Sequence, residues 1–249
     1  MAGGLTLVEL LVALAVGLLI VGGAASLLLA QLDQQRQRLA DARLTLALHV
    51  VADLAVRELR RSGHWGRADD AWPAHDEPDA TRPANPHAAL LPPAPASSEA
   101  VTTTALPAWS YGRASTDHPD LREDHARDHD ETGALRLNGS THAIDLRQSG
   151  PQLLPGSGDN WQALSDPQRL RLSSWRVTRR DHVIDLLATC PTTRCPSGDP
   201  QCPPQRVIRL LQLDLAGQDP TDPTEPARTR QLSRQVRVRN DELRGHCPP

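Results

Sequence analysis

Residues 10–30 carry no charged side chain. As a helix rising about 1.5 Å per residue this run would reach roughly 31 Å, about the thickness of a bilayer's hydrocarbon core. A chain containing it is expected to cross a membrane once. A secretory signal peptide would place a basic region before a shorter apolar core and small residues after it. Here Gly3 and Gly4 precede the run, so processing would leave the span attached. Glu9 stands at the start of this run. In lipid a carboxylate has to be neutralised by a partner or by protonation, unless it sits at the edge of the bilayer.

The helical pattern does not stop where the apolar run ends. "QLDQQRQRLADARLTLALHVVADLAVRELRRSGHWG" contains neither Pro nor Gly before Gly63. Leu32, Leu39, Leu46, Val50 and Leu54 recur at helical spacing, and Leu44, Leu48, Val51, Ala55 and Leu59 form a second, adjacent stripe. Two stripes predict a helix touched on more than one side. Arg57, Arg60 and Arg61 complement a helix C-terminus, and Gly63 is the expected stop. The reading is one helix of about 55 residues, from about Leu5 to Ser62, far longer than a globular average. An isolated coiled coil is the rival, but the heptad is not sustained and the polar positions do not alternate in sign.

Beyond the helix the composition shifts abruptly. Residues 67–133 are rich in Pro, Ala, Asp and His, and the prolines forbid helix or central strand between 67 and 111, predicting an extended or irregular segment. Within this region "TDHPDLREDHARDHDETG" puts His125 and His129, and likewise Asp124 and Asp128, four residues apart. A divalent metal is conceivable there, but nothing apolar flanks the run to dry a site, and a solvated, self-repelling loop is the expected state. From 134 onward strand signals dominate: "GALRLN" and "STHAIDLRQ" around the hairpin cue "NGS", then "QRLRLSSWRVTRR", "HVIDLLATC", "QRVIRLLQLDLAG" and "RQLSRQVRVRN". Leu170, Leu172, Val177, Val207, Ile208, Leu210, Val236 and Val238 are the expected core positions. Consecutive strands without helices between them imply an antiparallel sheet. Its apolar face needs cover, and the Leu39 to Leu59 half of the helix is the one long amphipathic element available. The fold class is therefore α+β.

The four cysteines, Cys190, Cys195, Cys202 and Cys247, lie in the last quarter of the chain. Their spacing fits a zinc site poorly, and two disulfides in an oxidising compartment are expected, with three pairings open. Cys247 could tie the C-terminus to the loop from Cys190 to Cys202. All 27 basic residues are Arg, mixed with 30 acids to a net charge of −3, without the footprint of a nucleic-acid binder. No G-x-S-x-G, phosphate loop or H-E-x-x-H occurs, so an enzyme is not expected and no cofactor is implied.

"GGLTLVELLVALAVGLLI" closely resembles the prepilin N-terminal cleavage and methylation motif of type IV pilins and type II secretion pseudopilins. The resemblance implies a leader ending at Gly4, cleavage by a prepilin peptidase, methylation of the new N-terminus at Leu5, and an assembly role for Glu9. "LALHVVADLAVRELRRSGHWG" and the closing "QVRVRND" are similar to the end of the long helix and the last strand in the PilW group of minor pilins. Leu5 stands where the family usually has Phe. The leader "MAGG" lacks the usual basic residues, which suggests a start upstream of Met1. Arg36, Arg38 and Arg43 follow the span, so charge counting alone would leave the large domain in the cytoplasm, whereas the cysteines and the resemblance point to the periplasm.

The resemblance implies a pilin-like fold with residues 1–4 as leader, 5–30 as the transmembrane half of the helix, 31–66 as its amphipathic half, 67–133 as a variable loop region and 134–249 as the β-rich domain. The implied function is that of a minor pilin that helps initiate a type IV pilus and supports a tip complex. Its expected partners are other minor pilins, the major pilin, prepilin peptidase, the inner-membrane assembly platform and a tip adhesin. The alternatives are a J-type minor pseudopilin of type II secretion and a membrane-anchored periplasmic metal-binding protein.

Overall fold

The computed structural model describes residues 6–66, 85–113, 126–199, 201–221 and 228–248. Among the described residues one α-helix, α1 (Leu7–Arg60), is followed by ten strands. The helix observed therefore agrees closely with the Leu5 to Ser62 expectation, because no breaker interrupts the pattern before Gly63. The chain divides into two compact units, Met1–Thr45 and Leu46–Pro249.

Over residues 7–30 the helix presents its apolar side chains outward on all sides: Leu11, Leu14, Leu18, Val21 and Leu28 are all exposed. It is long and apolar enough to cross a membrane, and is compatible with a single-pass anchor.

In the second unit the last turns of α1 are two-faced. Leu48, Val51, Ala52, Ala55 and Leu59 are buried, whereas Leu46 and Val50 of the other predicted stripe are 65% and 50% exposed. The strands form two five-stranded antiparallel sheets where a single sheet was expected. The first contains β1 (Leu90–Leu91), β3 (Ala108–Ser110), β4 (Thr132–Leu137), β5 (Ile144–Ser149) and β6 (Asn160–Ala163), in that spatial order. The second contains β2 (Thr102–Thr104), β7 (Arg171–Asp185), β8 (Gln205–Gln218), β9 (Thr229–Arg237) and β10 (Glu242–Arg244); β8 is central, with β7 on one side and β9 and β10 on the other.

Three corrections to the sequence reading have physical causes. The runs "QRLRLSSWRVTRR" and "HVIDLLATC" are not separate strands: β7 runs straight through Arg179, Arg180 and Asp181, because the strand's inward-facing charges find partners. The Pro-rich region does supply strands. Its proline-free pieces at 90–91, 102–104 and 108–110 pair, and β3 lies between β1 and β4 with Trp109 fully buried. Finally, Ile208 and Leu210 are not core. Strand alternation puts Val207, Arg209, Leu211, Leu213 and Leu215 on the inner face, so Ile208 is half-buried and Leu210 is 40% exposed. The other expected core residues, Leu170, Leu172, Val177, Val207, Val236 and Val238, are all buried.

The hairpin between β4 and β5 forms as expected. Asn138 Oδ1 accepts from the backbone N–H and hydroxyl of Ser140 and the N–H of Thr141, organising the "NGS" turn. Both disulfides form, and they settle the pairing: Cys190 with Cys247 and Cys195 with Cys202.

Candidate functional site: the two ends of the long helix

At its N-terminal end the helix is closed by Thr6 and Glu9. The Thr6 backbone N–H and its hydroxyl each donate to Oε2 of Glu9 at 3.0 Å, and the Glu9 N–H donates to Thr6 Oγ1 at 3.3 Å. This is a reciprocal capping box, in which the Ncap hydroxyl serves the N3 amide and the N3 carboxylate serves the Ncap amide. The sequence reading missed this role, although the T-x-x-E spacing "TLVE" that signals it was in view. Both Thr6 donors fall on Oε2, among the described residues no hydrogen bond reaches Oε1, and the helix N-terminus favours negative charge here. Gly4 and Leu5 lie outside the described residues.

At its C-terminal end the helix stops at Gly63, whose φ of 73° is the left-handed conformation that glycine adopts most readily. Three other chain segments converge on this turn. The Gly63 N–H donates to Ser110 O at 2.8 Å, and the Asn85 side-chain amide donates to Gly63 O at 3.0 Å. The Asn240 side-chain amide donates to Ser62 O at 3.1 Å, and the Arg239 N–H to Arg60 O at 3.3 Å. Thus "RRSGHWG" and "QVRVRND", far apart in the chain, are brought together in space.

Arg209 locks this junction. From the inner face of β8 its Nη1 donates to Ala88 O at 2.9 Å and its Nη2 to Asn240 O at 2.5 Å. Burial lowers its pKa from arginine's ordinary value, and the charge of Glu242 opposes that shift. On β7, Arg179 makes a bidentate pair with Asp181 at 2.7 and 2.8 Å and donates to Pro92 O at 3.3 Å. Asp181 in turn stands directly opposite Arg209 across the strands. Two inward arginines therefore hold the 88–92 segment by its carbonyls, satisfying groups that would otherwise be buried unpaired. The sequence signal for Arg209 was the alternation Val207, Arg209, Leu211, which makes an inward arginine unavoidable once the neighbours are core.

Beside the helix end, an open pocket is lined by Glu58, Arg61, Trp109, Tyr111, Arg113 and Gln148 among others. The Arg61 guanidinium stacks over the Tyr111 ring at 4.4 Å and is also paired with Glu58. Its charges are largely matched within the chain. Of the weak metal candidates, Asp124 and His125 lie outside the described residues. Asp128 and His129 are exposed, and the Asp128 N–H donates to Glu131 Oε2 at 2.9 Å. Among the described residues no cluster of three His, Cys, Asp or Glu could hold a metal ion.

A single helix that is apolar and exposed along its first half, capped through a carboxylate, and joined at its other end to antiparallel sheets agrees with the pilin-like fold that the sequence resemblance implies. Residues 37–238 match the family described as prepilin peptidase-dependent protein B, and the chain belongs to that family. The matched region starts after the apolar run, so it rests on residues separate from the "GGLTLVE" motif. No curated protein and no solved structure matches the chain.

Proposed function

We propose that the chain is a minor pilin of a type IV pilus, one that helps initiate assembly and supports a tip complex. In this reading prepilin peptidase cuts after Gly4, Leu5 becomes the methylated N-terminus, and Glu9 pairs with the N-terminal amine of an adjacent subunit. The observation that carries it is the Thr6–Glu9 capping box, which fixes a carboxylate at the tip of an exposed apolar helix in a member of a prepilin peptidase-dependent family. The amine would be a further donor to a carboxylate already oriented by Thr6, and it would set a defined axial register as the helix leaves the bilayer. The two disulfides support a sheet-bearing domain on the periplasmic side. The role is one of assembly, without catalysis and without a cofactor.

Intact-mass analysis of the chain co-expressed with a prepilin peptidase tests the processing step. The expected product begins at a methylated Leu5; a product that retains residues 1–4 overturns it. The neighbouring genes separate this role from that of a J-type minor pseudopilin, since pilus and secretion components would flank the two respectively.

A further inference from the structure

β9 meets the middle of the long helix at Arg234. Alternation along the strand leaves Gln231, Ser233 and Gln235 exposed and turns Leu232, Arg234 and Val236 inward, with Arg234 opposite the buried Leu213 of β8. From there Arg234 Nη2 reaches 2.7 Å from Nδ1 of His49, a half-buried helix residue, and its Nε stands 3.9 Å from Oδ1 of Asp53. A guanidinium carries donors only, so Nδ1 has to accept. The ring proton therefore sits on Nε2, and the contact exists only while His49 is neutral.

Protonation reverses this contact. It sets a donor and a positive charge on Nδ1 against the Arg234 guanidinium, and the two cannot stay at hydrogen-bond distance. A second partner for the ring is at hand. Asp53 lies four residues on, on the same face of the helix, and carboxylates stay ionised across the range of about pH 5 to 8 in which histidines titrate. β8 supplies no competing charge, because Leu213 and Leu215 face this side and are buried. β9 itself adds Arg230, four positions back on the same side, and within one helix turn of His49 the charged residue is Asp53. Acid therefore favours His49 with Asp53 and takes from Arg234 its acceptor on the ring.

We propose that His49, Arg234 and Asp53 form a proton-operated clasp between the helix and β9. With His49 neutral, Arg234 bridges to the ring and holds the strand to the helix; with His49 protonated, the ring turns to Asp53 and Arg234 lets go. Past the end of β9 the Arg239 N–H still donates to Arg60 O at 3.3 Å, so the strand loosens from its Thr229 end. The stabilisation is present while the ring is neutral and is lost as pH falls. This goes beyond the assembly role and holds equally for a pilus or a secretion fibre.

The test is chemical denaturation of the full chain in detergent, on the parent, His49→Ala, Arg234→Ala and the double variant. At about pH 8 the two substitutions are expected to couple about threefold in the unfolding constant, the scale of a half-exposed pair, and at about pH 5.5 the coupling should vanish or reverse. His49→Gln keeps an acceptor that does not titrate, so its coupling to Arg234 should survive in acid. Asp53→Asn removes the charge that receives the protonated ring, and the coupling should persist to lower pH than in the parent. If a variant does not fold, nitrogen-15 NMR of the parent's His49 ring decides: a proton on Nε2 alone is expected at the higher pH, and a proton on Nδ1 there overturns the clasp. Absent coupling at the higher pH, unchanged coupling in acid, the same acid loss in His49→Gln, or loss at the parent's pH in Asp53→Asn overturns it too.

Discussion

A β-carbon added to Gly63 would lie 2.6 Å from Nη2 of Arg209. The stop of a helix and an inward arginine on the central strand thus occupy each other's only available space. Gly63→Ala has to absorb both the left-handed backbone and this clash, and a loss of about 1–3 kcal/mol is expected in chemical denaturation of the full chain. Arg209→Met relieves the clash but leaves Ala88 O and Asn240 O without their donors. It is expected to destabilise as well, and the double variant should cost less than the sum of the two.

The inner and outer faces of β8 predict opposite outcomes for neighbouring leucines. Leu211, 1% exposed, should lose about 2–5 kcal/mol on truncation to Ala, whereas Leu210, 40% exposed, should lose less than about 1 kcal/mol. Comparable losses at the two positions would contradict the register.

The two disulfides should differ in worth. Cys190–Cys247 spans 57 residues and Cys195–Cys202 spans 7. On the chain-entropy account their removal by paired Cys→Ser substitution costs about 4 and about 2.5 kcal/mol respectively. Thermal unfolding of the two double variants checks the order.

Thr6 is expected to matter through its hydroxyl. Thr6→Val removes the acceptor for the Glu9 N–H and should speed amide exchange in the first turn, at a cost of about 1 kcal/mol; Thr6→Ser should leave it unchanged.

Much of this architecture was legible in the sequence because its signals are local. An unbroken apolar and then amphipathic pattern ending at Gly63 gave the helix nearly to its ends, and Asn138 and Gly139 marked the hairpin. What escaped depended on partners far along the chain. Ile208 and Leu210 look like core in "VIRLL", and only the burial of Val207 and Leu211 shows that the charged Arg209 is the inward residue between them. The division into two sheets was hidden for the same reason, since β1 and β3 are two and three residues long and are held by neighbours rather than by propensity. At the N-terminal site, Glu9 was singled out as a contact between subunits while its nearest partner, Thr6, stood three residues away. Conversely, "RRSGHWG" and "QVRVRND" gave no hint that they would meet, which Asn240, Arg239 and Ser62 bring about.

Glu9→Gln separates capping from charge pairing. Glutamine can still accept from the Thr6 amide, so the start of the helix is preserved while the negative charge is lost. The decisive measurement is the amount of this variant recovered in assembled fibres relative to the parent, with cleavage after Gly4 verified on both by N-terminal mass. The account predicts a processed variant whose incorporation falls about tenfold or more, the scale of a lost charge-assisted contact. Incorporation at the parent level by the processed variant would contradict it, leaving Glu9 as a helix cap alone.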